Sequence, residues 1–180
     1  MNQTAMKTQK MGKDSDSSVL LNLVELVTFK MQGEDYAFYI RYVDTIIPVL
    51  GVKITRVPKS AGYIKGVINL RGEVIPVIDL RKRLKFETRE FTDDARIMIL
   101  FFKEEKTKCG ILVDSVSEVV RIPESDVSRP QASWAQGGGL ESSFILSIGQ
   151  RDGINKEGEP HRQLIIVLDG EAIAFGKKQG

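Results

Sequence analysis

Three aspartates, Asp79, Asp114 and Asp169, carry the carboxylates best placed for general acid–base chemistry, because each follows an apolar, strand-like run. Asp79 and Asp169 also end two similar runs, at residues 76–78 and 166–168. This repetition favours a repeated turn or helix cap, in which the carboxylate accepts a hydrogen bond from a free N–H at a helix start. An enzyme that uses Asp79 or Asp114 remains an alternative, and it requires the carboxylates to converge in one pocket.

The other reactive residue types are isolated in the sequence. His161 has no cysteine or histidine near it, so a structural zinc site is not expected. Cys109 is the single cysteine and lies in an apolar run, so we expect a buried, inert thiol in a reducing compartment. Glycines 137–139 lack the following Lys-Ser/Thr of a phosphate-binding loop, and we interpret them as a flexible loop. We therefore expect no catalytic residue, no metal and no cofactor.

A basic run at residues 81–85 is the one cluster that suggests nucleic-acid binding. Acidic residues follow it closely, aromatic residues are sparse around it, and the net charge of the chain is only +2. We interpret the run as the solvated end of a short helix, and we expect no nucleic-acid partner.

The composition of the 180 residues, 42% hydrophobic and 28% charged, is ordinary for a globular protein. No stretch approaches the roughly 20 apolar residues of a membrane-spanning helix, and the N-terminus lacks the apolar core of a signal peptide. We expect a cytoplasmic protein without direct membrane insertion. Residues 1–18 are polar, so we expect a disordered tail there and a second short tail at residues 177–180.

Short β-branched runs separated by turn residues predict an all-β protein. A strand over residues 21–29 is apolar on both faces, so we expect it to be buried. We place short helices at residues 80–84 and after Asp169. The other predicted strands are residues 36–40, 45–49, 66–70, 73–79, 96–103, 108–113, 118–122, 144–148 and 163–168.

The second half of the chain repeats the pattern of the first. Residues 43–47 resemble residues 116–120, residues 63–67 resemble 144–148, and residues 76–80 resemble 166–170. We predict a duplicated five-strand unit that forms two similar barrels, packed together because a half of about 70 residues has a marginal core alone. We expect the first barrel over about residues 30–90 and the second over about residues 91–176. The N-terminal strand is expected to pair across with the second barrel, and a groove is expected between the barrels.

Residues 66–80 form the most informative motif, in which two apolar strands flank the polar corner Asn69-Leu70-Arg71-Gly72. Asn69 tolerates left-handed backbone and Gly72 takes positive φ freely, so the corner predicts a hairpin turn. Arg71 then lies at the tip. A turn does not need an arginine for its geometry, so we treat Arg71 as a candidate for binding a partner, with a solvated loop residue as the alternative.

The string Gly-Val-Ile-Asn-Leu-Arg-Gly at residues 66–72, followed by Val-Ile-Pro-Val-Ile-Asp-Leu at 74–80, resembles the CheW family of bacterial chemotaxis adaptor proteins. The run Gly110-Ile111-Leu112-Val113-Asp114 in the second half also matches. The resemblance implies one CheW-like domain over residues 19–176, made of two packed SH3-like five-stranded β-barrels with short helical segments. It also implies a non-catalytic scaffold that couples chemoreceptors, the methyl-accepting chemotaxis proteins, to the histidine kinase CheA.

The resemblance further implies which residues bind each partner. Positions for the cytoplasmic tip of the chemoreceptor, near the groove between the barrels, are Val43, Asp44, Ile46, Asn69, Arg71 and Gly72. Positions for the regulatory domain of CheA are Ile47, Val49 and Val57. Contacts with other CheW copies in rings are implied as well. Because Tyr39, Thr45 and Ser147 depart from the family pattern, the receptor class stays open, and a CheW paralogue serving another receptor–kinase array remains an alternative. A coupling module of the CheV type is a separate alternative.

Overall fold

The computed structural model describes residues 22–130, 141–154 and 158–176. The expected tails and the glycine loop at 137–139 lie outside the described residues. The described chain is mostly β-structure, as predicted, and its strands are β1 (Leu23–Met31), β2 (Glu34–Tyr39), β3 (Val43–Pro48), β4 (Ile64–Leu70), β5 (Glu73–Asp79), β6 (Arg96–Phe102), β7 (Thr107–Val113), β8 (Ser115–Pro123), β9 (Val127–Ser128), β10 (Ile145–Ile154) and β11 (Pro160–Leu168). The helices are α1 (Leu80–Arg83) and α2 (Gly170–Phe175), and single 3-10 turns lie at Ile40–Tyr42, Glu124–Asp126 and Ser142–Phe144.

The strands form two sheets with the same internal order. The first sheet has the order β3-β6-β7-β5-β4, and the second has the order β8-β1-β2-β11-β10-β9. The predicted repeat relates the two orders strand for strand, with only the two-residue β9 added at one edge. The register repeats too, since Val77 lies opposite Gly110 in the parallel pair of the first sheet and Val167 lies opposite Ala37 in that of the second. The duplicated unit is therefore confirmed, and the architecture is that of two packed SH3-like barrels.

The predicted boundary between the barrels, which separates residues 30–90 from residues 91–176, is wrong. Strands β6 and β7 complete the first sheet, whereas β1 and β2 belong to the second. Each half of the sequence thus contributes its leading hairpin to the sheet of the other half. The N-terminal strand does pair across as expected, because β1 lies between β2 and β8. The two hairpins are equivalent in the repeat, so the sequence pattern does not distinguish which sheet each one completes.

Three hydrophobic clusters form the core of the described molecule. One lies within the first barrel around Ile75 and Ile97, and another lies within the second around Leu26. The largest lies between the sheets and draws on both, packing side chains such as Phe29 with others such as Phe102. Because each barrel covers apolar surface of the other, the two form one folding unit.

Asp79 and Asp169 cap the two short helices, as the repeat predicted. Asp79 Oδ1 accepts a hydrogen bond from the Lys82 N–H at 3.3 Å. Asp169 Oδ1 accepts from the N–H groups of Glu171 and Ala172, each at 3.0 Å. Caps of this kind typically contribute about 1 kcal/mol. Both carboxylates therefore have a local structural role.

The basic run at 81–85 is only partly a solvated helix end, because Arg81 is buried. Its guanidinium donates to Asp114 Oδ1 from Nε at 2.7 Å, and a second guanidinium nitrogen lies 2.6 Å from the same oxygen. A further bond reaches the Arg89 carbonyl at 2.7 Å, and the guanidinium lies 4.4 Å from the centre of the Phe91 ring. All three partners lie outside the run, and Asp114 is 33 residues away, so the run alone did not predict this burial.

Arg83 lies where the two repeats meet. Its guanidinium carbon is 4.4 Å from the centre of the Tyr63 ring and 4.8 Å from that of Phe144, which is the equivalent of Tyr63 in the second repeat. It also donates to the carbonyls of Ala172 and Ile173 in α2, at 3.0 and 2.8 Å. One arginine therefore links α1, α2 and both aromatic rings.

Candidate partner-binding surfaces

The β4–β5 hairpin closes with a two-residue turn made of Arg71 and Gly72. Both residues have positive φ, 54° and 89°, while the flanking Leu70 and Glu73 are paired across the strands. This is the type I′ arrangement that matches the twist of a hairpin. Asn69 stays in β4 and accepts a hydrogen bond from the Gly72 N–H at 2.9 Å. The predicted hairpin is confirmed, although Arg71 rather than Asn69 adopts the left-handed conformation.

The Arg71 side chain is exposed at the tip of this hairpin, and it has no hydrogen bond or ion pair among the described residues. A non-glycine residue in left-handed conformation costs about 1–2 kcal/mol. The guanidinium presents five donors in a planar fork suited to carboxylates and carbonyls. The hairpin therefore holds an unused arginine outward on a stiff support.

Lys108 joins the turn to β3. Its Nζ lies 3.0 Å from a Glu73 carboxylate oxygen and 3.4 Å from an Asp44 carboxylate oxygen. The hydrogen bond to Glu73, supported by that to Asp44, raises the pKa of the Lys108 ammonium above its ordinary value. The structure thus brings Asp44 close to the Arg71 turn. Sequence reasoning did not single out Lys108, because its two partners lie on different strands.

The apolar candidates for receptor binding differ in exposure. Val43 is half-buried and packs against the cluster between the barrels. Ile46 is 37% exposed, and Val74, which follows Glu73, is 66% exposed. We call the exposed set Asp44, Ile46, Arg71 and Val74 the hairpin surface. Val74 was not among the sequence candidates, although its place next to the turn is a signal that could have identified it.

The three residues expected to face the kinase lie on the first barrel in two environments. Ile47 and Val49 are half-buried against the core of that barrel, and Val57 is 37% exposed in the loop between β3 and β4. Val49 and Val57 line two neighbouring cavities that share Lys65 and Lys82. The structure therefore places Val49 and Val57 close to one surface, and it leaves Ile47 mostly within the packing of the barrel.

The candidate catalytic carboxylates do not act together. Asp79 and Asp169 cap separate helices, and Asp114 pairs with Arg81. Cys109 is buried, and this burial raises the pKa of its thiol to about 12, as expected for an inert cysteine.

One group of carboxylates in the described part of the chain is close enough to share a cation. It consists of Glu104, Glu105 and Glu171, whose oxygens lie within 4.8 Å of one another. Arg41 and Lys103 line the cavity beside Glu104 and Glu171, so the acidic charge has basic neighbours.

No helix among the described residues is long and apolar enough to cross a membrane.

The fold defines a class of protein: a two-barrel β-protein with two packed SH3-like barrels. Comparison with known proteins narrows the class. Residues 25–175 match the model of the CheW-like domain family. The chain is 41% identical over 150 residues to chemotaxis protein CheW of Bacillus subtilis (strain 168), covering 83% of this chain and 85% of that protein. It is 34% identical over 156 residues to chemotaxis protein CheW of Treponema pallidum (strain Nichols), covering 86% and 84%.

A solved structure agrees with the sequence relatives. The crystal structure of the scaffolding protein TtCheW from Thermoanaerobacter tengcongensis superimposes with a TM-score of 0.70 at 29% identity, covering 87% of this chain and 97% of that one. The chain therefore belongs to the CheW family of chemotaxis scaffold proteins.

Proposed function

We propose that this protein is a cytoplasmic, non-catalytic scaffold that couples the cytoplasmic tips of chemoreceptors to the regulatory domain of the histidine kinase CheA. The observation that carries the proposal is Arg71, which is exposed at the tip of a type I′ hairpin and has no hydrogen-bond or ion-pair partner in the part of the chain that the structure describes. Membership of the CheW family supports the choice of partners.

The receptor arm of the proposal uses the hairpin surface. A helical receptor tip would lay an apolar stripe against Ile46 and Val74, whose side chains are exposed. Arg71 would bind a carboxylate or carbonyl at the rim, with Asn69 and Gly72 setting the geometry of the turn. Val43 supports this surface from below, through its packing between the barrels.

The kinase arm uses the first barrel. Val57 offers exposed apolar area, and Val49 and Ile47 set the shape of the adjoining surface from half-buried positions. Two modest interfaces suit a scaffold that enters regulated assemblies. In our proposal, the protein holds receptor and kinase in register, so that small receptor movements shift the kinase between active and inactive populations. Further copies of the chain would extend the assembly into rings.

Calorimetry of the full chain with the CheA regulatory domain and, separately, with a receptor-tip fragment tests both arms. Binding to both, with Arg71→Ala weakening only the receptor arm, is the expected result. Binding to the kinase with no effect of Arg71→Ala would move the receptor site elsewhere on the protein. The absence of binding to either partner would overturn the proposed function.

A further inference from the structure

A basic pocket lies beside Val57 on the first barrel. Arg56, Lys59, Lys65 and Lys82 line an open cavity of about 640 Å³, and none of the residues that line it is acidic. The four side chains come from three segments of the chain: the loop after β3, strand β4 and helix α1. We call this cavity the basic pocket.

The four cations of the basic pocket form no ion pair within the described residues, and the carboxylates of Asp79 and Glu90 line the adjoining cavity that shares Lys65 and Lys82. Basic residues elsewhere in the described chain do form ion pairs. Lys65 has one aromatic contact, with its Nζ 5.7 Å from the centre of the Phe91 ring. A concave site lined by charges of one sign concentrates its field and attracts ligands of the opposite sign.

The internal repeat shows that the barrel does not need these lysines in order to fold. The equivalents of Lys65 and Lys82 in the second repeat are Leu146 and Ala172. The related cavity of the second barrel is lined by Leu146, by two arginines, Arg41 and Arg129, of which Arg129 is the equivalent of Arg56, and by the acidic Glu124. The same strand order therefore forms with and without lysines at these two positions, which points to a role of Lys65 and Lys82 in binding rather than in folding.

We propose that the basic pocket binds an acidic segment of the CheA regulatory domain. This inference rests on the proposed function and specifies the chemistry of its kinase arm. Val57 is a lining residue of the pocket as well as the exposed apolar candidate for that arm, so the charged site and the apolar site are continuous. The mixture of cations with Val57, Ala61 and Ile64 suits a protein loop that carries both carboxylates and apolar side chains.

The test is calorimetry of the full chain with the CheA regulatory domain at about 50 mM and about 500 mM salt, between which the Debye length falls about threefold. We expect the double variant Lys65→Glu/Lys82→Glu to weaken binding about tenfold or more at low salt, and by much less at high salt. The matched control, Lys103→Glu/Lys106→Glu, makes the same charge change on exposed lysines outside the pocket and is expected to bind like wild type.

A second variant, Lys65→Leu/Lys82→Ala, removes the charge by installing the residues of the other repeat, and it keeps the test decisive if the glutamate variant does not fold. Kinase binding that is insensitive to both variants and to salt would overturn this inference and leave the proposed function standing. A wild-type chain that does not bind the kinase domain would overturn both. Inorganic phosphate is the probe for a small-anion site, followed by the NMR signals of the pocket. If phosphate shifts only those signals and the variants bind the kinase domain like wild type, the ligand of the pocket is a small anion and the inference is overturned.

Discussion

At the scale of single residues, Arg71 and Arg81 show that the same type of side chain can have opposite environments. Arg81 is buried and bound to Asp114, to a backbone carbonyl and to the face of Phe91. Arg71 is exposed and has none of these contacts among the described residues. The first arginine should therefore matter for stability, and the second for binding.

We expect Arg81→Ala to lower the free energy of unfolding by about 2–3 kcal/mol, because it leaves the half-buried Asp114 carboxylate without its cation, although the Gln32 N–H still donates to that carboxylate. The neighbouring Lys82→Ala, at an exposed position, is the matched control and should change stability by less than about 0.5 kcal/mol. Denaturant unfolding of both variants measures the difference. Equal effects of the two substitutions would show that the Arg81–Asp114 pair does not stabilise the fold.

Arg71→Gly should leave the free energy of unfolding unchanged or raise it by up to about 1 kcal/mol, since glycine adopts the positive φ of this position without strain. The same variant should weaken binding to a receptor-tip fragment by about 1–3 kcal/mol, because it removes a charged hydrogen-bond donor. Denaturant unfolding and calorimetry measure the two effects separately. A large loss of stability would mean that Arg71 serves the fold instead.

At the scale of elements, equivalent β-bulges interrupt β4 and β10. The register shifts between Ile64 and Gly66 in β4, and between Ile145 and Ser147 in β10. The backbone at Gly66 has a φ of 154°, and a Cβ there would clash with the Thr55 carbonyl and lie 2.8 Å from Ile54 Cγ2. Ser147 is accommodated at the equivalent place, where its hydroxyl lies 3.1 Å from the Tyr39 hydroxyl. The same bulge therefore has different side-chain requirements in the two barrels.

Gly66→Ser, which copies the second repeat into the first, should lower stability by about 3 kcal/mol or more, because the clash involves backbone that cannot move freely. The reciprocal change Ser147→Gly should cost only about 1–2 kcal/mol, through the lost hydroxyl contact and the added chain entropy. Chemical unfolding curves of the pair provide the comparison. If Gly66→Ser proved the milder change, the proposed close approach of Thr55 would be wrong.

At the scale of the whole molecule, the exchange of leading hairpins makes each barrel depend on both halves of the sequence. The first sheet needs β6 and β7 from the second half, and the second sheet needs β1 and β2 from the first half. The largest hydrophobic cluster also combines both halves. Stability is therefore shared, and we expect one cooperative unfolding transition for the chain.

Cutting the chain between the exposed Asp93 and Asp94 tests this dependence. The fragments 1–93 and 94–180 should each lack a cooperative unfolding transition, because each sheet is then missing central strands. Mixing the fragments should restore the far-ultraviolet circular dichroism and the transition of the uncut chain, which is the control. Cooperative unfolding of either fragment alone would contradict the dependence.

Local and periodic features of this protein could be predicted from the sequence, because they depend on neighbouring residues. The β-branched runs predicted the strands, the Asn69–Gly72 corner predicted the hairpin, and the repeated aspartates predicted two caps. The repeat itself predicted two similar barrels, since equal patterns fold to equal units. The resemblance to the CheW family was carried by the same short motifs.

Only the tertiary structure decided which residues meet across long separations. The pairing of Arg81 with Asp114 and the position of Lys108 between Asp44 and Glu73 join segments that are far apart in the chain. The basic pocket likewise forms only when a loop, a strand and a helix come together. The tertiary structure also decided the boundary between the barrels. The β1–β2 and β6–β7 hairpins have equivalent sequence patterns, so the pattern alone would allow either hairpin to complete either sheet. The pattern of a strand determines which of its faces is apolar, whereas the choice of its neighbour depends on the packing of the whole chain.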